Sequence, residues 1–146
     1  GRIAMIFQDP TASLNPVFTI GNQILRQVRQ HSDRSRKEAE AHAFAFFERV
    51  GLPDPKRIFN AYPHELSGGM KQRVMIAMGL ASGAEFLIAD EPTSALDSDN
   101  SQRVAELLIE MAESVGAGLL IATHDERLTR FFPKSFALNK GELEPC

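Results

Sequence analysis

The sequence contains a single cysteine, Cys146, at its last position. One thiol cannot form an intrachain disulfide and cannot supply a metal site built from several cysteines. The chain also lacks any apolar run that approaches the roughly 18 residues needed to cross a bilayer, and no signal peptide opens it. We therefore expect a cytosolic protein, with any membrane-spanning role left to another polypeptide.

A strong excess of charge is also missing, because 16 basic and 19 acidic side chains give a net charge of −3. This balance does not indicate nucleic-acid binding by the chain as a whole. Residues 1–84 carry 11 basic and 7 acidic side chains, whereas residues 85–146 carry 5 and 12. The uneven distribution suggests two regions with different partners, although a solvated surface explains it equally well.

The most informative stretch begins at Ser67, where apolar residues start to recur at helical spacing until Gly83 ends the pattern. Gly68 and Gly69 follow Ser67 directly, although each glycine costs a helix about 1 kcal/mol relative to alanine. Such a start leaves backbone N–H groups accessible to an anion, which the helix dipole also favours. These residues form a candidate phosphate site, but taken alone they are more simply an ordinary N-cap.

Residues 85–89 predict a short buried strand, and two adjacent carboxylates, Asp90 and Glu91, follow it directly. Charge at the end of a buried strand is unfavourable unless it meets a cation or a reacting group. In nucleotide hydrolases an aspartate at this position holds magnesium, and a neighbouring glutamate orients water. Structural capping by Asp90 is the alternative interpretation.

Together these stretches resemble the ATP-binding-cassette (ABC) ATPase family. Residues 66–70 are similar to its signature motif and residues 86–91 to its Walker B motif. Residues 94–97 resemble the D-loop, in which Asp97 would communicate across a dimer. Met70 stands where many members carry glutamine, a mild departure from the signature motif.

Two further strands end in residues that match the same family. Residues 3–7 predict a buried strand that leads to Gln8, which matches the Q-loop glutamine. Residues 119–122 predict another strand, and His124 behind it matches the switch histidine. We expect both strands to deliver polar groups to the same sheet edge as the Walker B strand.

The resemblance is narrower at two places. Residues 11–16 and residues 62–65 look like the corresponding stretches of ATPases that drive oligopeptide, dipeptide and nickel importers. It implies a helical subdomain at about residues 18–82, with the catalytic core formed by residues 1–17 and residues 83–146. The implied fold class is α/β: a partial P-loop NTPase domain with a mainly parallel sheet and an inserted helical subdomain.

The resemblance also implies ATP and Mg²⁺ as cofactors. Asp90 and Gln8 would contact the magnesium ion, Glu91 would polarise the attacking water, and His124 and Gln8 would sense the γ-phosphate. Residues 67–69 would bind ATP held by a second nucleotide-binding domain, identical or paralogous. Transmembrane permease subunits would dock on the helical subdomain, which places the protein in the cytoplasm on the inner face of the membrane.

One element of such an ATPase is missing. The sequence contains no Gly-Lys dipeptide, and therefore no Walker A loop to cradle phosphates. In the family this loop and its strand precede the Q-loop, and the chain starts at Gly1 within an apparent strand. We expect a fragment that is inactive alone and, because strand edges lose their partners, marginally stable.

Two alternatives remain open at this point. The chain could be a non-catalytic fragment or interaction module, or part of a soluble ABC ATPase outside transport. His31 and His42 have no companion ligands at metal-site spacing, so we place both on the surface. The remaining patterns predict helices at residues 19–30, 35–50, 56–60 and 98–115, a short helix at 125–132 and a hairpin over 136–143.

Overall fold

In a computed structural model of the chain, the structure describes residues 3–30, 32–94, 98–139 and 141–145. The strands are β1 (Ile3–Ile6), β2 (Phe86–Asp90), β3 (Gly118–Ala122), β4 (Phe136–Asn139) and β5 (Glu142–Pro145). The α-helices are α1 (Pro10–Ser13), α2 (Ile20–Gln30), α3 (Arg36–Arg49), α4 (Pro55–Asn60), α5 (Gly68–Ala81) and α6 (Ser98–Val115). Short 3₁₀ helices span Pro63–Glu65 and Glu126–Phe131.

The three central strands form a parallel sheet in the order β1-β2-β3. Ile6 on β1 pairs with Ala89 on β2, and Ala89 pairs in turn with Ile121 on β3. All three strands therefore end at the same edge of the sheet. The strands β4 and β5 form a separate antiparallel hairpin, as the sequence predicts.

One face of this sheet is buried and the other is open. Ile6, Leu87 and Ala89 point into the core, where the α5 and α6 helices cover the sheet. On the opposite face Ile3 is 63% exposed and Leu120 is 60% exposed. The apolar pattern of buried strands is present on both faces, but only one of them is covered within the described residues.

The helices follow the capping signals in the sequence. Ser35 accepts a hydrogen bond from the backbone of Glu38, and the Glu38 carboxylate accepts one from the backbone of Ser35, so a capping box starts the predicted helix α3. Phe46 and Phe47 of this helix are buried, as expected for core residues. Among the described residues, no helix combines the length and apolar character needed to cross a membrane.

Two features differ from the sequence-based expectation. The helix α1 was not predicted, although Asp9 accepts a hydrogen bond from the Thr11 backbone and Pro10 occupies the first helical position. The surface assignment of His42 is wrong: its ring is partly buried, and Nε2 lies 3.1 Å from the Ala81 carbonyl oxygen. Burial lowers the pKa of His42 below its ordinary value. His31 lies outside the described residues.

A single side chain joins α5 to the end of α3. The Arg73 guanidinium donates hydrogen bonds of 2.8 Å and 3.1 Å to the carbonyl oxygens of Val50 and Gly51. The last carbonyls of a helix have no partner within the helix, and a cation there is also favoured by the helix dipole. Arg73 therefore helps to hold two helices of the predicted subdomain together, as does the contact of His42 with Ala81.

We expect Arg73→Ala to lower the free energy of unfolding by about 1–3 kcal/mol, because the partly buried Val50 carbonyl and the exposed Gly51 carbonyl lose a charged donor. Urea denaturation followed by circular dichroism measures this loss. Arg103→Ala is the matched control, since Arg103 is exposed on α6. Equal losses for the two variants would contradict the proposed contribution of the carbonyl contacts.

Candidate functional site

Three sequence-predicted residues gather at the edge where the parallel strands end. Gln8 follows β1 by two residues, Glu91 follows β2 directly, and His124 follows β3 by two residues. The register of the sheet places Ile6 beside Ala89, so Gln8 and Glu91 continue neighbouring strands. Carboxyl ends of parallel strands are where α/β proteins bind ligands. The sheet therefore brings these groups to one edge.

The backbone of Glu91 has a conformation that is unusual for a residue with a side chain. Its φ angle is +46°, in the left-handed region. Its N–H donates to the Ala122 carbonyl at 2.8 Å, and its own carbonyl accepts from the Ser94 backbone at 3.2 Å and from the Ser94 hydroxyl at 3.1 Å. Such strain persists only where surrounding contacts hold it, and it is concentrated at functional sites.

The Glu91 carboxylate is held by the segment that follows β3. Its Oε2 accepts a hydrogen bond from the Thr123 hydroxyl at 3.0 Å, and its Oε1 accepts one from the His124 backbone at 2.8 Å. The Nδ1 atom of the His124 ring also lies 2.7 Å from Oε1. Because an ionised carboxylate only accepts, the ring carries its proton on Nδ1 here. The His124 side chain is 78% exposed, whereas that of Glu91 is 20% exposed.

These hydrogen bonds determine the charge state of Glu91. Burial alone would raise its pKa, but hydrogen bonds from His124 and Thr123 outweigh burial, and the pKa lies below its ordinary value. The carboxylate therefore stays ionised at neutral pH. Its contacts stabilise the folded chain above the pKa of an unfolded glutamate, and this contribution is lost as the pH falls through the lowered value.

A cleft of about 400 Å³ opens beside Glu91 and His124. Asp125 and Arg127 form part of its wall and bind each other through two hydrogen bonds of 2.7 Å and 2.8 Å. The hydrogen bond from Arg127 is the main reason that the pKa of Asp125 is lowered. The cleft thus contains two bonded pairs, Glu91 with His124 and Asp125 with Arg127, and the His124 ring is open to solvent.

Asp90 does not line this cleft. Side chains alternate along a strand, so Asp90 shares the open face with Phe86 and Ile88, while Leu87 and Ala89 face the core. Within the described residues, no group of three histidine, cysteine, aspartate or glutamate side chains is arranged to hold a metal. A magnesium ion fits such a site only if substrate oxygens and water complete its coordination.

The start of α5 is open, as its composition predicts. The Ser67 hydroxyl accepts a long hydrogen bond of 3.4 Å from the Met70 backbone, which makes it the N-cap. A methyl group added at Gly68 or Gly69 would meet nothing within 4 Å. Neither glycine is therefore required by packing within the chain. Among the described residues, no hydrogen bond joins this helix start to Glu91.

The start of α5 is nevertheless connected to the segment behind Gln8. The Lys71 ammonium group donates to the Thr11 hydroxyl on α1 at 3.2 Å. The helices α1 and α5 also pack against each other. The Q-loop-like segment and the signature-like helix therefore belong to one connected surface.

The sequence of this chain also matches a known protein family. Residues 1–94 match the family model described as "ABC transporter". This chain belongs to the ABC transporter family. Asp97, predicted to act across a dimer of such ATPases, lies outside the described residues.

The curated relatives of this chain are named as ATP-binding proteins of peptide and dipeptide transport. It is 49% identical over 124 residues to a probable peptide ABC transporter ATP-binding protein of Sinorhizobium fredii. The aligned residues cover 85% of this chain and 37% of the relative. It is 46% identical over 124 residues to the dipeptide transport ATP-binding protein DppD of Escherichia coli, covering 85% and 38%. The chain thus spans a little over a third of the length of these relatives.

Solved ABC structures share the fold. A part of the cbiONQ ABC transporter complex from Clostridium perfringens has a TM-score of 0.85 at 27% identity, covering 97% of this chain and 55% of that one. An ATP-binding cassette in a dimeric post-hydrolysis state with ADP and Pi has a TM-score of 0.81 at 31% identity, covering 98% and 61%. The α/β fold is that of a partial P-loop NTPase of this family, as expected.

Sequence reasoning did not find Thr123. Its hydroxyl donates to Glu91 and also accepts from the Asp125 backbone at 3.1 Å, so it links the carboxylate to the loop after β3. A hydroxyl residue directly before a strand-end histidine is a weak signal. Only the register between β2 and β3 shows that it lies opposite Glu91.

We expect Thr123→Val to raise the pKa of Glu91, because the charged form loses one donor while the shape of the side chain is kept. Thr123→Ser should leave this pKa near its parental value. Carboxyl-carbon NMR measures both, with Glu91→Gln identifying the resonance. An unchanged pKa in the valine variant would show that the Thr123 hydroxyl does not influence the carboxylate.

The open helix start leads to a second expectation. Gly69→Ala should raise the free energy of unfolding by up to about 1 kcal/mol, since the methyl group meets nothing and alanine favours a helix. Gly79→Ala is the control within α5: its methyl group would lie 3.1 Å from the fully buried Leu87, which removes the gain. Equal gains at both positions, measured by urea denaturation, would contradict this difference in space.

Proposed function

We propose that this chain is part of the ATP-binding and ATP-hydrolysing subunit of an ABC importer for peptides or a related small solute. Family membership and the printed names of the relatives support this assignment. The activity belongs to a complete ATPase domain, because the 146 residues contain no Gly-Lys dipeptide and so no Walker A loop.

The arrangement around Glu91 is the observation that carries this proposal. Its strained backbone and its contacts with Thr123 and His124 hold an ionised carboxylate at the carboxyl edge of a parallel sheet. A carboxylate in this position can orient a water molecule and accept its proton as the water attacks the γ-phosphate. His124, whose ring is exposed beside it, would contact the γ-phosphate.

Asp90 and Gln8 would hold a magnesium ion together with ATP phosphates and water. Both offer oxygen ligands, and magnesium characteristically keeps several waters instead of an all-protein cage. When bound, the ion neutralises charge that develops on the transferred phosphoryl group. Asp90 ends β2 and Gln8 follows β1, so both lie at the carboxyl edge of the sheet.

Ser67, Gly68 and Gly69 would complete the nucleotide site of a second, identical or paralogous domain. Backbone N–H groups at an open helix start favour phosphate, and no side chain obstructs their approach. A related cassette was solved as a dimer with ADP and Pi, which supports a paired arrangement. Asp97 would communicate between the two domains.

Transport would require further subunits. We assign the region at residues 18–82 to contacts with transmembrane permease subunits, so the protein would lie in the cytoplasm, peripheral to the inner face of the membrane. The bond between Lys71 and Thr11 gives one physical route from Gln8 to the helical region. No role in nucleic-acid binding is assigned to the chain.

Glu91→Gln in the full-length protein should retain ATP binding while hydrolysis falls by about two orders of magnitude or more, because the amide cannot accept the proton of the attacking water. Glu126→Gln is the matched control, since Glu126 lines the same cleft and its position follows β3 by four residues, away from the end of β2. Phosphate release and nucleotide binding are measured separately for each variant. Normal turnover by Glu91→Gln would remove Glu91 from the role of base.

A further inference from the structure

A concave surface with strong positive charge lies between the end of α2 and the start of α3. It has a volume of about 650 Å³, and we call it the arginine hollow. The charged residues that line it are Arg26, Arg29, Arg34, Arg36 and Asp33. Four cations and one anion give it a formal charge of +3, in a chain whose net charge is −3.

Within the part of the chain that the structure describes, the arginines of this hollow lack bonded acidic partners. Among the described residues, none of its four guanidinium groups forms an ion pair or a side-chain hydrogen bond. The nearby Glu38 carboxylate interacts with Arg34 only through the attraction of their charges. Its hydrogen bond, of 2.8 Å, comes from the Ser35 backbone. Arginines three residues apart on α2 repel each other, so this concentration of charge is mildly unfavourable for the isolated chain.

Exposed apolar side chains precede α2, and one of them, Phe18, lines a cavity together with Arg26. Val17 is 70% exposed and Phe18 is 46% exposed, directly before α2. A smaller cavity of about 360 Å³ that contains Phe18 shares Asn22 and Arg26 with the arginine hollow. Basic groups beside an exposed aromatic ring are the combination with which proteins bind the surface of a membrane.

Guanidinium groups bind phosphate oxygens through two parallel hydrogen bonds, which an ammonium group cannot reproduce. A free phosphate ion would use the arginines but would leave Val17 and Phe18 in water. A phospholipid surface satisfies both features, because its headgroups carry the phosphate and its interface accepts apolar side chains.

We propose that the arginine hollow binds phosphate-bearing headgroups of anionic phospholipids, with Phe18 at the membrane interface. The contact is separate from the nucleotide site, since none of these residues lies at the carboxyl edge of the sheet. It would orient the helical region against the membrane in addition to the contacts proposed with permease subunits.

The test measures sedimentation of the purified full-length protein with phosphatidylcholine vesicles that contain or lack phosphatidylglycerol. Arg29→Gln/Arg34→Gln removes two charges from the arginine hollow, and Lys56→Gln/Arg57→Gln removes two from the exposed surface of α4 as the matched control. Circular dichroism verifies that each variant is folded. Inorganic phosphate and an acidic polypeptide, polyglutamate, are the competing probes.

We expect binding to the anionic vesicles only, weakened about fivefold for each arginine removed and little changed in the control. Arg34→Lys/Arg36→Lys should also bind less tightly, since it keeps the charge and loses the paired hydrogen bonds. Phe18→Ser should weaken binding without altering its dependence on salt.

Three results would overturn the proposal. Equal binding to both kinds of vesicle would show that the headgroup charge plays no role. Equal losses of vesicle binding in the two double variants would show that only the net charge of the protein matters. Saturable binding of inorganic phosphate or polyglutamate without vesicle binding would assign the arginine hollow to a soluble anion or to an acidic protein segment. Because no nucleotide takes part, failure here leaves the proposed ATPase function untouched.

Discussion

The parallel pairing of β2 with β3 is the interaction on which the candidate site depends. It places the Ala122 carbonyl where the Glu91 N–H can reach it, one residue beyond the end of β2. This extra bond holds Glu91 in its left-handed conformation, and the same register brings Thr123 and His124 to its carboxylate. A shift of one residue between these strands would exchange the sheet faces and separate all four groups.

The one-sided core explains why two adjacent carboxylates have different surroundings. Helices cover the face occupied by Leu87 and Ala89, whereas Asp90 shares the uncovered face with apolar side chains. Glu91, beyond the strand, turns instead toward the segment after β3. The chain therefore satisfies one carboxylate internally and leaves the other on the side where the described sheet has no covering layer.

Much of the fold could be predicted because its signals are local. Ser35 and Ser67 cap the helices that follow them, and the apolar runs become strands whose limits differ by one residue from expectation. The helix α1 was missed although Asp9 and Pro10 carried a usable signal. His42 was misplaced because its partner is a backbone carbonyl 39 positions away, which no periodicity reveals. The contact between Thr123 and Glu91 was invisible for the same reason: it depends on strand register, a property of the assembled sheet.

The backbone of Glu91 has a thermodynamic consequence. A glutamate side chain normally samples many rotamers, and fixing one when a ligand arrives costs conformational entropy. Here the peptide groups on both sides of Glu91 are bonded, and the side chain ends in three further contacts. Its freedom has already been lost when the chain folds. The carboxylate is thus ordered before any substrate binds, at the expense of the stability of the fold and not of the affinity for the substrate.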